Sequence, residues 1–265
     1  MIEYTWKGGV SMKNEENPRS LKEALSLRRA RTGQPCMGGT AMEKGAGSVL
    51  NLSGCEEFTR LDTDGRLVHI GAGCTPRQLM SEPLLPGLLR HCAKRCPEEL
   101  QNTASLGGAV CAGDEGVLCA LTALGAQVTV ASECARRTMP LRNFRKKGKL
   151  NLASDELLCE ILVPESRGEG WAYEENADGL IFAGTIRWEK RRLAQLSAAF
   201  AQGDGTILRF PEFEREMLSL TAKETAALRG EYLKAYRRWW YGGNEEKRDV
   251  LLGRLETFLL ENRIG

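Results

Sequence analysis

The sequence predicts an α+β protein. A mixed α/β domain spans residues 1–165, and a smaller, helix-rich α+β domain spans residues 180–265. Three observations predict this. Helical and extended patterns alternate through the first 95 residues, as in layered α/β folds. Two diglycine turns, Gly38-Gly39 and Gly107-Gly108, each adjoin a hydroxyl residue and punctuate that alternation. Beyond a charged, glycine-bearing stretch, Glu165 to Gly179, the pattern changes to an apolar run, a glycine turn and then helices.

Taken in order, Pro18-Arg19-Ser20 opens a helix whose stripe is Leu21, Ala24, Leu25 and Leu27. Gln34 to Met37 is extended and runs into Gly38-Gly39-Thr40. Val49 to Leu52 and Leu67 to Ile70 read as strands, the second broken by Gly71-Ala72-Gly73. Thr75-Pro76 is an N-cap and first-turn pair for a helix through Met80, and Leu84 to Cys96 reads as a second helix. After Ser105-Leu106-Gly107-Gly108, Val117 to Leu124 reads as a helix and Ala126 to Val130 as a strand. Met139 to Leu141 and Phe144 fall in a connecting segment, and Leu157 to Val163 is an apolar run stopped by Pro164. Glu165 to Gly179 is the linker candidate. Leu193 to Ala201, the turn Gly203-Asp204-Gly205 and Thr206 to Phe210 suit a hairpin. From Pro211 to Ile264 the leucines fall at helical spacing.

Composition bounds the function classes. Hydrophobic residues make up 42%, charged residues 27%, and the net charge of +2 gives no field for nucleic acid. The basic run Arg187 to Arg192 reads as a solvated face. No apolar stretch reaches the roughly 18 residues that span a bilayer, and Met1 to Val10 lacks a signal-peptide pattern. The expected location is therefore cytoplasmic. Nine cysteines, an odd number without a CxxC pair, suit reduced thiols that pack as small hydrophobes. Cys92 and Cys96 form the tightest pair. With His69 and His91 as the two histidines, neither a metal site nor a histidine-based triad is expected.

The diglycine turns carry the chemistry. A dinucleotide pyrophosphate is doubly anionic and is held by backbone N–H groups at turns where glycine permits close approach. Gly38-Gly39-Thr40 and Ser105-Leu106-Gly107-Gly108 both have that composition, each with a hydroxyl beside it. Neither is a GxGxxG fingerprint or a P-loop, so a conventional nicotinamide or nucleoside triphosphate domain is not indicated. Either turn alone is weak evidence, because such pairs are common in plain turns.

The words around them resemble the flavin domain of the molybdopterin dehydrogenase family, which includes the middle subunits of xanthine and carbon monoxide dehydrogenases. That family reads, in order, "AGGT", "DLS", "IGA..T" and "IRN.ATIGGN". Here the matching stations are Gly38-Gly39-Thr40, Leu50-Asn51-Leu52-Ser53, Ile70-Gly71-Ala72 with Thr75, and Gln101-Asn102 through Gly108. Leu121 to Ala126 is similar to "LLALDA", Met139 to Phe144 to "VPL.DF", and Glu156 to Pro164 to "ELLTEI.IP". The resemblance runs from about residue 15 to about residue 200.

The resemblance implies a two-subdomain flavin-binding fold, like that of vanillyl-alcohol oxidase, followed by a domain with a three-stranded sheet and helices. It implies FAD as cofactor. The partners it implies are a small [2Fe-2S] iron–sulfur subunit and a large molybdopterin subunit, with NAD or another compound as final acceptor. The chain would be the flavoprotein subunit of an oxidoreductase, with no catalytic acid, base or nucleophile of its own, because the cofactor carries the chemistry. Residue by residue, it implies FAD contacts for Met37, Gly38, Gly39, Thr40, Ser105, Leu106, Gly107 and Gly108, with Leu158 near the flavin rings. Departures are also present. Gln101 replaces an arginine, Ala109 an asparagine, Gly116 an aspartate and Gly184 a lysine, and the C-terminal region lacks the family's hairpin. Asp114 and Glu115 are the carboxylates nearest Gly116, with Asp114 taken as a cofactor contact, and Arg187 is the cation near Gly184. A scaffold paralogue that binds FAD weakly or not at all is the alternative. Trp239-Trp240-Tyr241, beside Arg237 and Arg238, is either core or a partner-docking patch.

Overall fold

The computed structural model describes residues 14–30, 33–37, 48–146, 148–165, 169–218 and 245–262. Helix α1 (Leu21–Arg29) begins at Ser20, whose hydroxyl accepts the Glu23 N–H at 3.3 Å. The Glu23 carboxylate accepts the Arg19 N–H at 2.8 Å, closing the cap from both sides. The buried face of α1, Ala24 and Leu25, lies toward a three-stranded parallel sheet of order β1-β3-β2. Its strands are β1 (Asn14–Glu16), β2 (Gln34–Cys36) and β3 (Ser48–Asn51). Val49 and Leu50 of the central strand are buried.

A five-stranded antiparallel sheet follows, of order β4-β5-β10-β6-β7. It comprises β4 (Leu61–Thr63), β5 (Leu67–Gly71), β6 (Gln127–Ala131), β7 (Arg136–Pro140) and β10 (Leu157–Pro164). Val68, Ile70, Val128, Val130, Ile161 and Val163 fill its inner face with no exposed surface, and each such side chain contributes about 1.5–3 kcal/mol. The central strand β10 carries a register shift between Leu158 and Glu160. The outer face is polar: His69 Nδ1 lies 3.1 Å from Glu160 Oε2, and Arg136 pairs with the same carboxylate.

Helices α2 (Pro76–Ser81), α3 (Gly87–Lys94), α4 (Leu106–Ala112) and α5 (Glu115–Ala123) contribute to the core on the inner side of this sheet. The Thr75-Pro76 start is a full capping box with Gln78. The short α6 (Leu141–Phe144) and the two-stranded ribbon of β8 (Arg145–Lys146) and β9 (Lys149–Leu150) close one end on buried Phe144. Helix α5 is apolar on nearly every side, with Leu118, Cys119, Ala120, Leu121 and Ala123 all buried, as expected of a helix enclosed by other layers.

The layer beyond α5 is a four-stranded antiparallel meander: β11 (Gly170–Glu175), β12 (Ile181–Glu189), β13 (Arg192–Ala201) and β14 (Ile207–Arg209). Strand alternation sends Ile181, Ala183, Ala199 and Ala201 into the core shared with α5. Phe182 and Phe200 point the other way, into a second core with Phe213 and Met217 of α7 (Pro211–Met217) and Leu251, Leu255 and Phe258 of α8 (Glu245–Glu261). The Phe182 and Phe258 rings meet edge-on at 5.6 Å.

The α+β class is as the sequence predicts, with local differences. The expected linker contains β11, which pairs antiparallel with β12 and sets Trp171 and Tyr173 against His91 of α3. The C-terminal sheet therefore has four strands rather than three. Met139 and Pro140 end a strand, β7, which pairs with β6, rather than lying in a connection. The helix expected from Leu84 starts at Gly87, after Pro86. Arg187 to Arg192 spans a tight hairpin turn in which Lys190 and Arg191 adopt left-handed backbone angles, φ 47° and 65°. Trp239-Trp240-Tyr241, Arg237 and Arg238 lie outside the described residues. Among the described residues no single helix is long and apolar enough to cross a membrane.

Candidate functional site

The second diglycine turn starts α4. Ser105 is the N-cap: its backbone is extended, and its hydroxyl accepts the Gly108 N–H at 3.1 Å. The Leu106 N–H donates to the Cys74 carbonyl at 2.9 Å, and the Gly107 N–H to the Ala72 carbonyl at 2.7 Å. These amides are committed inside the protein. The Ser105 hydroxyl, which lines the neighbouring cavity, accepts one bond and has a proton of its own to give. In this structure the Leu106, Gly107 and Gly108 amides of the turn thus bond within the protein.

Glycine at 107 has a packing cause. A Cβ there would stand 2.7 Å from both the Cβ and the carbonyl oxygen of Ala72. Ala72 in turn donates its N–H to the Cys159 carbonyl at 2.8 Å, tying α4 to β10 beside Leu158, which is buried. The next residue of the same turn, Gly73, is covered by the side chain of half-buried Met37. So Met37 and Gly107, from the edges of the two diglycine bends, seat on consecutive residues of one turn. Gly38, Gly39 and Thr40 themselves lie outside the described residues.

Beside α4 opens a cavity of about 390 Å³, a volume within the range of small-ligand sites. Leu79, Leu89, Leu106, Val117 and Ile181 supply apolar wall, and Ser105, Arg95, Asp114, Glu115 and Glu175 supply polar groups. Of the expected contacts, Ser105, Leu106 and Asp114 line it, whereas Met37, Gly107, Gly108 and Leu158 do not. Asp114 caps α5, accepting the Val117 N–H at 3.0 Å. Glu115 accepts the N–H groups of Gly203 and Gly205, the latter at 2.5 Å, and so pins the β13–β14 turn to the rim.

The departures from the family pattern have visible causes. At Gly116, a Cβ would stand 2.5 Å from an Arg95 guanidinium nitrogen and 2.7 Å from the Tyr173 hydroxyl, so those side chains fill the aspartate's place. At Gly184, a Cβ would meet Phe182 and Phe258, both at 2.9 Å; the aromatic core has closed over the lysine position. Gln101 braces its own loop, donating to the Cys96 carbonyl at 3.1 Å. Arg187 pairs with Glu189. Sequence reasoning missed Arg95, Tyr173 and Glu175, whose grouping joins two segments distant in the chain.

Burial sets the state of the ionisable groups. All nine cysteines are free. Desolvation pushes the Cys92 thiol up to about 12 and those of Cys111 and Cys159 up to about 11, which keeps them protonated and unreactive. Burial likewise raises the Tyr173 hydroxyl far above its ordinary range, so it remains a neutral donor and acceptor.

A parallel three-stranded sheet, a five-stranded antiparallel sheet and a glycine turn beside a cavity of small-ligand size define the α+β frame of the chain. Residues 14–166 match the family described as "FAD binding domain in molybdopterin dehydrogenase", and the chain belongs to that family. Three solved structures share its fold over almost its whole length. A cyanide-inactivated Cu,Mo-CO dehydrogenase chain has a TM-score of 0.78 and 16% identity, covering 95% of this chain and 96% of that one. A carbon monoxide dehydrogenase from Hydrogenophaga pseudoflava, lacking the Mo-pyranopterin moiety, has a TM-score of 0.75 and 21% identity, over 94% and 95%. Quinoline 2-oxidoreductase from Pseudomonas putida 86 has a TM-score of 0.76 and 15% identity, over 96% and 98%. At these identities the likeness is one of fold. Among curated proteins none matches by sequence.

FAD is the cofactor of this family, and the residues present fit it. Among the described residues, a Cβ built on Gly108 would meet only the Ser105 hydroxyl within 4 Å. The Ser105 hydroxyl lines the cavity and can donate, and the apolar part of the cavity wall suits a flat ring system.

Proposed function

We propose that the chain is the flavin-carrying electron-transfer subunit of a cytoplasmic molybdenum-hydroxylase complex. It receives electrons from a small [2Fe-2S] protein that is itself reduced by a large molybdopterin subunit, and it passes them to NAD or another acceptor. The observation that carries this reading is the shared seat of Met37 and Gly107 on the Gly71–Cys74 turn beside the cavity. That seat supports a common pyrophosphate site for Gly38-Gly39-Thr40 and Ser105-Leu106-Gly107-Gly108.

Bound FAD supplies the redox chemistry, accepting electrons in pairs or singly. The protein's part is placement. Ser105 would donate to the ligand while its oxygen anchors α4. Leu79, Leu89, Leu106 and Ile181 exclude water from the cavity, and Glu115 holds the Gly203–Gly205 turn against its rim. The test is to purify the full chain with its co-purifying subunits and record the visible spectrum. Flavin bands with about one FAD per chain, together with iron–sulfur and molybdopterin partners, are expected.

The second reading is a scaffold paralogue that keeps the fold but binds FAD weakly or not at all. The closed lysine position at Gly184 and the committed amides of α4 favour it. A colourless chain that stays colourless after incubation with excess FAD would establish that reading and end the first.

A further inference from the structure

Arg95 is the only cationic side chain among the described residues lining the cavity. Its guanidinium is held from two sides. It pairs with Glu175 and donates to the Tyr173 hydroxyl, while its carbon lies 4.8 Å from the Tyr173 ring centre. Both partners come from β11, so the C-terminal sheet aims an arginine of the first domain. Gly116 leaves the room that this arrangement needs. Two of the three carboxylates on the cavity wall are occupied elsewhere, Asp114 by the α5 cap and Glu115 by the Gly203–Gly205 turn. Arg95 and Glu175 are therefore the charge pair left to act on what fills the cavity.

We propose that Arg95, oriented by Glu175 and Tyr173, is a positioning and potential-setting residue that favours reduced over oxidised FAD in this cavity. The inference rests on the flavin reading above. Two-electron reduction with uptake of one proton leaves the flavin with one more negative charge than its oxidised form. A fixed cation at a partly desolvated wall stabilises that charge, and its carboxylate partner opposes it. The two residues therefore have opposite effects on the potential, although both belong to one structural unit.

The experiment uses the full chain loaded with FAD. The binding constant is read from flavin fluorescence, and the midpoint potential from dithionite titration against a reference dye. Arg95→Gln is expected to weaken reduced FAD relative to oxidised FAD about tenfold, which lowers a two-electron potential by about 30 mV. Glu175→Gln is expected to shift the potential upward, and Arg95→Lys, which keeps the charge, to restore most of the loss. Far-UV circular dichroism on each variant separates these effects from misfolding. An unchanged potential in Arg95→Gln, or shifts of the same sign in Arg95→Gln and Glu175→Gln, would overturn the proposal while leaving FAD binding standing. A wild-type chain that takes up no FAD would remove the flavin reading, and this proposal with it.

Discussion

The contact of Gly107 with Ala72 makes a sharp comparison available within one dipeptide. In Gly107→Ala the new methyl would stand 2.7 Å from both the Cβ and the carbonyl oxygen of Ala72. Those atoms belong to a turn fixed on its other side to Cys159, so neither can retreat without disturbing β10. The 2.7 Å bond from the Gly107 N–H to the Ala72 carbonyl would lengthen with them. Overpacking of this kind costs about 1–3 kcal/mol, which for a chain of this size lowers Tm by about 3–10 °C. In Gly108→Ala the only obstacle among the described residues is the Ser105 hydroxyl at 2.8 Å, and alanine gains about 0.8–1 kcal/mol of helix propensity over glycine. That variant is expected within about 1 kcal/mol of wild type. Thermal and urea denaturation of the flavin-free chain would decide. If Gly107→Ala melted with wild type, or if Gly108→Ala were the less stable of the two, the packing account of this turn would be refuted.

Further expectations follow from other contacts. Ser105→Ala removes the α4 cap and a hydroxyl from the cavity wall; stability should fall by about 1 kcal/mol and FAD affinity should fall as well, measured by melting and fluorescence titration. Glu214 is buried, binds Arg209 through both oxygens and accepts the Ala198 N–H, so Glu214→Gln should cost about 3 kcal/mol in urea unfolding. The Arg137 side chain, hydrogen-bonded to Glu156, holds that carboxyl below its ordinary 4.5, with the Ala153 N–H assisting and burial opposing. A depressed folded value means stability present above pH 4.5 and lost as pH falls through the folded value. Glu156→Gln should therefore flatten the acid limb of a stability–pH profile, and an unchanged limb would count against the assignment.

How much was legible in the sequence follows from the range of each interaction. Ser20, Thr75, Ser105 and Asp114 each cap a helix through a bond three residues along the chain, and two of these starts, Ser20 and Thr75, could be read from the sequence for that reason. Runs such as Val49–Leu52 and Leu157–Val163 were also readable, because apolar residues predominate in each, with Asn51 and Glu160 as the polar exceptions. Ordered motif words carried the family. Strand β11 was misread as linker because charged and glycine residues flank it, and its six-residue antiparallel pairing with β12 is what makes it a strand of the sheet. The reasons for glycine at 116 and 184 are Arg95, Tyr173 and Phe258, which approach from distant segments. The sequence by itself determined the Ser20 and Thr75 helix starts, the buried strands and the family. Tertiary structure alone decided which amides are already committed, which side chains line the cavity and which cation faces it. Caps and periodicity are local chemistry, whereas those contacts exist only after chain closure brings residues from different sheets together.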